Sequence, residues 1–540
     1  MPPNSAAGVP AIHHVKAIRR IFPERTSTAP IISKLSIVDA TVARFTPTAA
    51  IWLYDKPRDG DFSPPELFDI MSLALSQTLN DYPHFAGHIQ WATQDMVKDD
   101  VVPRHLGRPV VVHGTSDDPG VEIVTVNYDM NLEEVVPSRH QRVTQLKEWN
   151  ASNFQQSDLL PQTKIALMSL NAVEGLPVMA VQLTTFKCGG FGLSAMISHP
   201  LADAITLMNF MHSWAARTRT ILANHSEDDL EFKPIFNPAQ LDQVAGLHPG
   251  SLPESKQVAK ARSLPMHRFD WWAKDAPGYP VAVKPASLAT MPAPDELSTT
   301  KLSPSTFPPW STWDMGAAVD RAQIYFTADE LAGMKEAAEA SLPDNLESLR
   351  ISRLDAVLAH VWILINRARG LQGNRESVYM DITLGLRNRI TPPLPDTFVG
   401  SPLLIGYVEK AADDAASKEL GPIAGAIRHM ISQFTPDAVA AYIHDAAHEV
   451  SPQRLWQGFL GTHHTIVTSW VRAKTYELDF LGSQNLARYV QGVMPKVDGL
   501  LQIMDIADTG DVDISVCIER DVMGRLLNDS FLHQYEKSGN

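Results

Sequence analysis

The chain has 540 residues, of which 44% are hydrophobic and 20% are charged. Its 46 basic and 61 acidic residues give a net charge of 46 − 61 = −15, which argues against a nucleic-acid or anionic-membrane partner because both need positive fields. The sequence has two cysteines, Cys188 and Cys517, which excludes a disulfide-rich scaffold and any four-cysteine metal site.

The sequence lacks a hydrophobic run long enough for a membrane span, and its N-terminus lacks the apolar core of a signal peptide. We therefore expect a cytoplasmic protein that does not use a membrane as a partner.

In the first part of the chain, residues 65–80 carry apolar side chains at helical spacing, which predicts a helix. Residues 178–187 and 191–198 predict two strands, with Gly189-Gly190 as a tight turn between them. A second amphipathic helix is predicted by apolar residues at i, i+3, i+4 and i+7, namely Leu207, Phe210, Met211 and Trp214.

Proline marks the middle of the chain. Thirteen of the 39 prolines lie between Pro234 and Pro309, which predicts a long, non-regular crossover. Trp271, Trp272 and Trp310 lie in the same stretch, and disordered segments are poor in aromatic residues. We expect this connector to pack against both flanking domains.

After the crossover, Thr327 and Glu330 have the spacing of a capping box, which opens a helix. Residues 351–368 predict a further one-sided helix, and residues 463–470 and 512–518 predict strands. The expected architecture is α/β with two domains. We divide the chain into an N-terminal domain (1–225), a connector (226–318) and a C-terminal domain (319–540).

His199 and Asp203 form the pattern HxxxD at the end of a predicted strand. A histidine there suits a general base, since its ordinary pKa near 6.5 lets it accept a proton at neutral pH. Taken alone, His199 favours a structural role, and Asp203 is explained as the N-cap of the following helix. A zinc site is not indicated, because a third ligand is missing nearby.

Further motifs occur in a fixed order along nearly the whole chain. They are Leu35-Ser-Ile-Val-Asp39, Asp81-Tyr-Pro-His-Phe-Ala-Gly87, Cys188-Gly-Gly190, His199-Pro-Leu-Ala-Asp203, Asp355-Ala, Ala359-His360-Val-Trp362, Leu386-Arg387-Asn-Arg389, Pro392-Pro393-Leu394-Pro395, Thr468-Ser469-Trp470 and Asp479-Phe480. With them the chain resembles the BAHD acyl-CoA-dependent acyltransferases, and most closely the fungal branch that includes trichothecene 3-O-acetyltransferases. The first of these motifs matches the family's opening strand.

The resemblance implies two chloramphenicol-acetyltransferase-like domains. Each would be a mixed sheet with flanking helices, and the active-site channel would lie between them. His199 would be the general base in a direct acyl transfer. Asp203 would turn away and pair with an arginine, for which Arg387 is the first candidate and Arg389 the second.

The resemblance also assigns positions in the C-terminal domain. Thr468 and Trp470, on one face of a predicted strand, would line the acceptor pocket, although without the family ordinary strand packing is the favoured interpretation. Asp479 would support the fold. Here the sequence departs from the family's DFGWG, since it reads Asp479-Phe480-Leu481-Gly482-Ser483, which places CoA access and stability in question.

The implied co-substrate is acyl-CoA, with acetyl-CoA as the first choice, and no metal is required. The implied partner is a small-molecule acceptor with a hydroxyl group, bound by a monomer. Four alternatives remain at this point. They are an amine acceptor, CoA-independent proton-transfer chemistry such as elimination or cyclisation, a catalytically silent binding protein, and a covalent route through Cys188.

Overall fold

The computed structural model describes residues 13–57, 63–100, 106–167, 172–173, 175–223, 233–248, 250–482, 485–506 and 508–536. The strands are β1 His13–Ile21, β2 Ile31–Lys34, β3 Thr48–Tyr54, β4 His88–Trp91, β5 Pro109–His113, β6 Val121–Tyr128, β7 Glu148–Asn150, β8 Met179–Phe186, β9 Phe191–Ile197, β10 Phe269–Asp270, β11 Val319–Phe326, β12 Ser377–Gly385, β13 Leu403–Ala411, β14 Leu455–Trp456, β15 His464–Ser469, β16 Tyr489–Gly492, β17 Leu500–Ile506 and β18 Asp511–Glu519.

The α-helices are α1 Ile37–Thr41, α2 Pro64–Thr78, α3 Gln94–Val97, α4 Leu132–Val135, α5 Arg139–Gln141, α6 Ala204–Leu222, α7 Ala239–Gln243, α8 Ser255–Arg262, α9 Lys284–Leu288, α10 Pro294–Thr299, α11 Ala328–Ala340, α12 Arg353–Ala368, α13 Ala412–Ala415, α14 Gly421–Gln433, α15 Pro436–Ala447 and α16 Arg520–Leu527. In the part of the chain covered by these coordinates, no helix is both long and apolar enough to span a bilayer.

Two large mixed sheets organise the fold. The six-stranded sheet has the order β1-β6-β8-β9-β3-β16, and the seven-stranded sheet has the order β13-β12-β15-β17-β18-β11-β7. Each sheet takes its last strand from the other half of the chain, since β7 precedes the crossover and β16 follows β15. The domain boundaries at residues 225 and 319 therefore stay a prediction. Each of the two sheets contains strands from both sides of the crossover.

The hairpin that leads to His199 follows from its sequence. Gly189 turns the chain with a φ of 84°, which a side chain would strain, and β8 then pairs antiparallel with β9. Every residue of β9 is buried, as expected for a central strand covered on both faces. Helix α6 buries Leu207, Phe210, Met211 and Trp214 in the same core, with side chains from α2.

The predicted helices and strands correspond closely to the observed ones. The capping box of Thr327 and Glu330 opens α11, and residues 351–368 contain α12. The opening strand expected at Leu35–Asp39 is wrong, because helix α1 begins there. Ser36 and Asp39 form a capping box, which satisfies backbone donors of a first helical turn and not those of a strand.

The crossover is packed, as its tryptophans predicted. Strand β10 pairs with β14 of the C-terminal half. Trp271, Trp272 and Trp310 are each at most 8% exposed and form one cluster with Phe459. This aromatic cluster fixes the connector against the C-terminal sheet.

Candidate active site

His199 lies where β9 ends and the chain enters a short 3₁₀ turn, His199–Leu201. Pro200 disfavours the α-helical conformation for His199, and α6 begins only at Ala204, after the 3₁₀ turn. The flanking Ser198 is anchored by a 2.6 Å hydrogen bond from its Oγ to the carbonyl of Ala166. The imidazole is partly exposed, and Phe45 packs edge-on against it at a ring-centroid distance of 5.3 Å.

One ring nitrogen of His199 faces the C-terminal half of the chain. Nδ1 lies 3.1 Å from Oγ of Ser401. Burial lowers the pKa of His199 to about 4, partly offset by a hydrogen bond to its own backbone and by the charge of Asp203. The ring is therefore neutral at pH 7. Since only Nδ1 can reach the residue's own carbonyl, we assign the ring proton to Nδ1, which leaves the lone pair on Nε2.

Ser401 is held in turn by a buried carboxyl group. Its backbone N–H donates to Oδ1 of Asp39 at 2.7 Å, and both residues have 0% exposure. Oδ2 of Asp39 accepts a 2.6 Å hydrogen bond from Oγ of Ser36. Burial raises the pKa of Asp39 to about 7 against the lowering effect of these hydrogen bonds. Helix α1 thus positions the loop that carries Ser401.

Asp203 has two roles. Its Oδ1 accepts from the backbone N–H of Thr206 at 2.9 Å, which caps α6. The predicted ion pair with Arg387 is present, with Nη2 donating to Oδ1 at 3.0 Å and Nη1 donating to Oδ2. Each side chain of the pair is 9% exposed. The carboxylate is fully occupied in holding the two halves together.

The remaining contacts of this loop join it to the segment before β13. Arg387 also donates to Oγ1 of Thr206 at 3.0 Å and to the carbonyl of Phe398 at 3.2 Å. The N–H of Asp203 donates to the carbonyl of Gly400 at 3.0 Å. Arg389 instead reaches the carbonyls at the end of α14, so the second candidate partner for Asp203 is not used.

Thr468 and Trp470 lie at the end of β15, as predicted. Thr468 is partly exposed, whereas Trp470 is 5% exposed and belongs to the core that also contains Val399. With the amide of Gln502 oriented to satisfy both of its neighbours, its oxygen accepts from the Trp470 indole N–H at 3.2 Å. That N–H is thus used within the protein, while the Thr468 hydroxyl keeps access to solvent.

The altered motif that begins at Asp479 forms a tight turn. Oδ1 of Asp479 accepts from the backbone N–H groups of Leu481 and Gly482, both at 2.9 Å, and Gly482 has a φ of 74°. Arg219 of α6 donates to the Asp479 carbonyl. Arg219 thus ties α6 to the motif. Ser483 lies outside the described residues.

Cys188 lies at the wrong end of β9 for a covalent role. It is exposed in the hairpin turn, where its Sγ accepts from the N–H of Leu132 at 3.3 Å. The seven-residue strand β9 separates this turn from His199, a distance of about 20 Å at the usual rise per residue. The thiol therefore cannot exchange a proton with the imidazole.

Two histidines and a carboxylate meet elsewhere in the C-terminal half. Nε2 of His267 lies 3.1 Å from one oxygen of Asp381, and Nδ1 of His464 lies 2.9 Å from the other. Phe459 also donates its N–H to Asp381 at 3.0 Å. Burial raises the pKa of Asp381, but the hydrogen bonds from His267 and His464 outweigh it and lower the pKa below its ordinary value. The cluster joins the crossover to β12 and β15. The donor set suits a transition metal, but its atoms already satisfy one another.

Comparisons with known proteins show the family to which the chain belongs. The family model described as "Transferase family" matches residues 120–261 and 274–531, which is most of the chain. The chain belongs to this family, the BAHD acyltransferases. The expected relationship is thereby confirmed, and the protein is an acyltransferase with the two-domain fold that the family predicts.

Similar members of the BAHD family come from fungi. The acyltransferase AFT15-1 of Alternaria alternata is 26% identical over 86% of this chain and 85% of its own length. Acyltransferase abl6 of Leptosphaeria maculans is 24% identical over 97% and 99% of the two chains. Among solved structures, F. sporotrichioides TRI101 complexed with coenzyme A and T-2 superimposes with a TM-score of 0.64 at 15% identity, covering 94% of this chain and 99% of its own.

For this BAHD acyltransferase, sequence reasoning missed Ser401, Asp39 and Phe45. A single serine after a glycine carries no chemical pattern, and the contact of Phe45 with His199 depends on the antiparallel pairing of β3 with β9, which brings the start of one strand beside the end of the other. Asp39 had a detectable signal, since Ser36 and Asp39 have capping-box spacing. That signal would have placed the carboxyl group at the start of a helix.

Proposed function

We propose that the protein transfers an acetyl group from acetyl-CoA to a hydroxyl group of a small-molecule acceptor, acting as a monomer, with His199 as the general base. Support for the donor comes from family membership and from the fold shared with TRI101, whose structure contains coenzyme A. The single observation that carries the proposal is the neutral imidazole of His199 at the junction of the two halves, with Nδ1 engaged and Nε2 available.

The proposed reaction is one direct transfer. Nε2 of His199 accepts the proton of the acceptor hydroxyl as its oxygen attacks the thioester carbonyl carbon, which forms a tetrahedral oxyanion. The intermediate collapses, the carbon–sulfur bond breaks, and the coenzyme A thiolate receives the proton from His199. The imidazole ends neutral, so the base is regenerated in each cycle.

Asp203 and Arg387 act as positioning residues in this proposal, because their buried ion pair fixes the turn between β9 and α6. We assign the Thr468 hydroxyl to the acceptor pocket, where it would stabilise the developing oxyanion. Trp470 would shape the wall of that pocket by packing, since its indole N–H already has a partner in Gln502. Asp479 would support the fold through its turn.

The test uses the full-length protein with acetyl-CoA and an extract containing candidate acceptors. We expect calorimetry to detect binding of coenzyme A, and mass spectrometry to detect products heavier by one acetyl group with the wild type and not with His199→Gln. Matched alcohol and amine acceptors then determine which nucleophile is used. Failure to bind coenzyme A would refute acyl transfer from this donor.

A further inference from the structure

A second feature lies where the turn after α1 meets the crossover, and it is built around Arg44. Arg44 immediately precedes Phe45, whose ring packs against His199. Its guanidinium carbon lies 4.6 Å above the ring of Trp271, and Nη2 donates to Oγ1 of Thr290 at 3.1 Å. Both Trp271 and Thr290 belong to the crossover, so this arginine links the N-terminal domain to the connector.

The guanidinium is left with unused donors. Nε and Nη1 of Arg44 are shielded from solvent and find no hydrogen-bond acceptor among the described residues. The indole N–H of the stacked Trp271 and that of the adjacent Trp310 are unpaired in the same way. Four N–H-bearing atoms in one aromatic cluster therefore await acceptors, and burying such groups unpaired is costly.

The neighbouring carboxylate of Asp270 does not pair with the Arg44 guanidinium. Asp270 receives two hydrogen bonds from Arg454, at 2.7 and 3.1 Å, and one from the backbone N–H of Trp272 at 2.9 Å. Across the described part of the chain, no carboxylate lies within ion-pair distance of Arg44. Burial lowers the pKa of this arginine well below its usual value, against the raising effect of the Asp270 charge.

We infer that Arg44, Trp271 and the adjacent crossover residues form a binding site for a carboxylate carried by the acyl acceptor. A carboxylate offers two anionic oxygens in the plane that a guanidinium recognises, and the surroundings of Arg44 are apolar, since Trp271 and Trp272 are 8% and 5% exposed. This inference rests on the proposed function, since it names the class of acceptor: a hydroxylated, partly apolar carboxylic acid.

Phe45 lies between the anion-binding site at Arg44 and His199, and its position explains how the site would serve catalysis. Arg44 and Phe45 leave the same turn after α1, so a molecule anchored at Arg44 would lie against the wall that touches His199. Anchoring one end of the acceptor restricts which hydroxyl can reach Nε2. The crossover would then determine which hydroxyl group of the acceptor is acylated.

The test measures binding and does not need turnover. Benzoate, cinnamate and dodecanoate, each with its neutral amide, are titrated by calorimetry into the wild type, Arg44→Gln and Arg520→Gln. Arg520 is a control, because it is 62% exposed and pairs with Asp320 on the surface. We expect at least one carboxylate to bind the wild type and the control equally, and Arg44→Gln about tenfold or more weakly. The matched neutral amides should bind Arg44→Gln and the wild type with equal affinity.

A further titration and a further variant distinguish the other possible explanations. Coenzyme A is titrated in parallel, and a loss of affinity for coenzyme A but not for carboxylates in Arg44→Gln would assign the site to the cofactor phosphates and overturn the inference. Arg44→Lys keeps the charge if Arg44→Gln fails to fold, and should still bind carboxylates better than their amides. Equal carboxylate affinity in wild type and the Arg44 variant would also overturn it. The proposed function would be refuted by a different result, namely that coenzyme A does not bind.

Discussion

Nδ1 of His199 lies 3.1 Å from Oγ of Ser401, although 202 positions separate the two residues. The contact joins the strand end of the N-terminal sheet to the loop before β13 of the C-terminal sheet. Together with the backbone carbonyl of His199, the contact engages Nδ1, which fits the assigned tautomer with its lone pair on Nε2. The geometry of the proposed general base thus depends on the relative placement of the two halves.

Ser401→Ala should lower kcat about tenfold, because one hydrogen bond that orients the imidazole is lost. The KM for acetyl-CoA should change little, since the serine holds the base and not the donor. Steady-state kinetics would measure both parameters. Ser194→Ala is the matched control, since Ser194 is a buried serine of β9 whose hydroxyl has no partner among the described residues. An equal loss in both variants would refute the positioning role of Ser401.

Asp203→Asn should reduce the free energy of unfolding by about 3–5 kcal/mol, because it leaves the Arg387 guanidinium buried without its counter-charge. Urea denaturation followed by circular dichroism would measure the change. Arg387→Lys should also destabilise, since lysine cannot make the two-pronged contact. Glu339→Gln, which breaks the exposed pair with Lys335, should change stability by less than about 1 kcal/mol. Similar effects in all three variants would contradict the account.

The pH dependence of kcat/KM should follow the protonation of the His199 imidazole in the free enzyme. Because burial lowers the pKa of His199 to about 4, activity should be level between pH 6 and 8 and fall only near pH 4. Between the folded pKa and the unfolded value near 6.5, the unfolded chain binds more protons at this residue. The His199 contribution to stability is therefore present above about pH 6.5 and lost as the pH falls toward 4. His199→Gln should remove that dependence, and a rate inflection near 6.5 would contradict the burial argument.

Cys188→Ala should retain nearly full activity, since the thiol lies at the opposite end of β9 from His199. Mass spectrometry of the protein after incubation with acetyl-CoA should show no acetyl group on Cys188 that transfers to acceptor. A folded Cys188→Ala protein without turnover would instead support a covalent route.

Much of the fold could be predicted from periodicity and turn chemistry. The run of apolar residues in β9, the glycine turn before it and the capping box of α11 are local signals, and each produced the expected element. Helix α1 was missed although its capping signal at Ser36 and Asp39 is equally local, because the family resemblance suggested a strand. The exchange of β7 and β16 between sheets depends on tertiary pairing, which leaves no local pattern.

Some residues of the candidate site could likewise be predicted from the sequence, and others could not. His199 and Asp203 lie four residues apart in one turn, so their relationship could be predicted from spacing, and the family supplied Arg387. Ser401, Phe45 and Arg44 come from two other segments, and their roles depend on burial and on which donors lack acceptors. Such properties arise only when the sheets and the crossover assemble.

The most direct test of the central claim is single-turnover acetyl transfer by wild type and His199→Gln at pH 7.5, with an acceptor identified by the extract screen. Coenzyme A affinity is measured on both proteins to show that the variant is folded and binds the donor. We predict that His199→Gln slows transfer by about a thousandfold while coenzyme A binds unchanged, as expected for removal of a general base. An undiminished transfer rate in the folded variant would contradict the account.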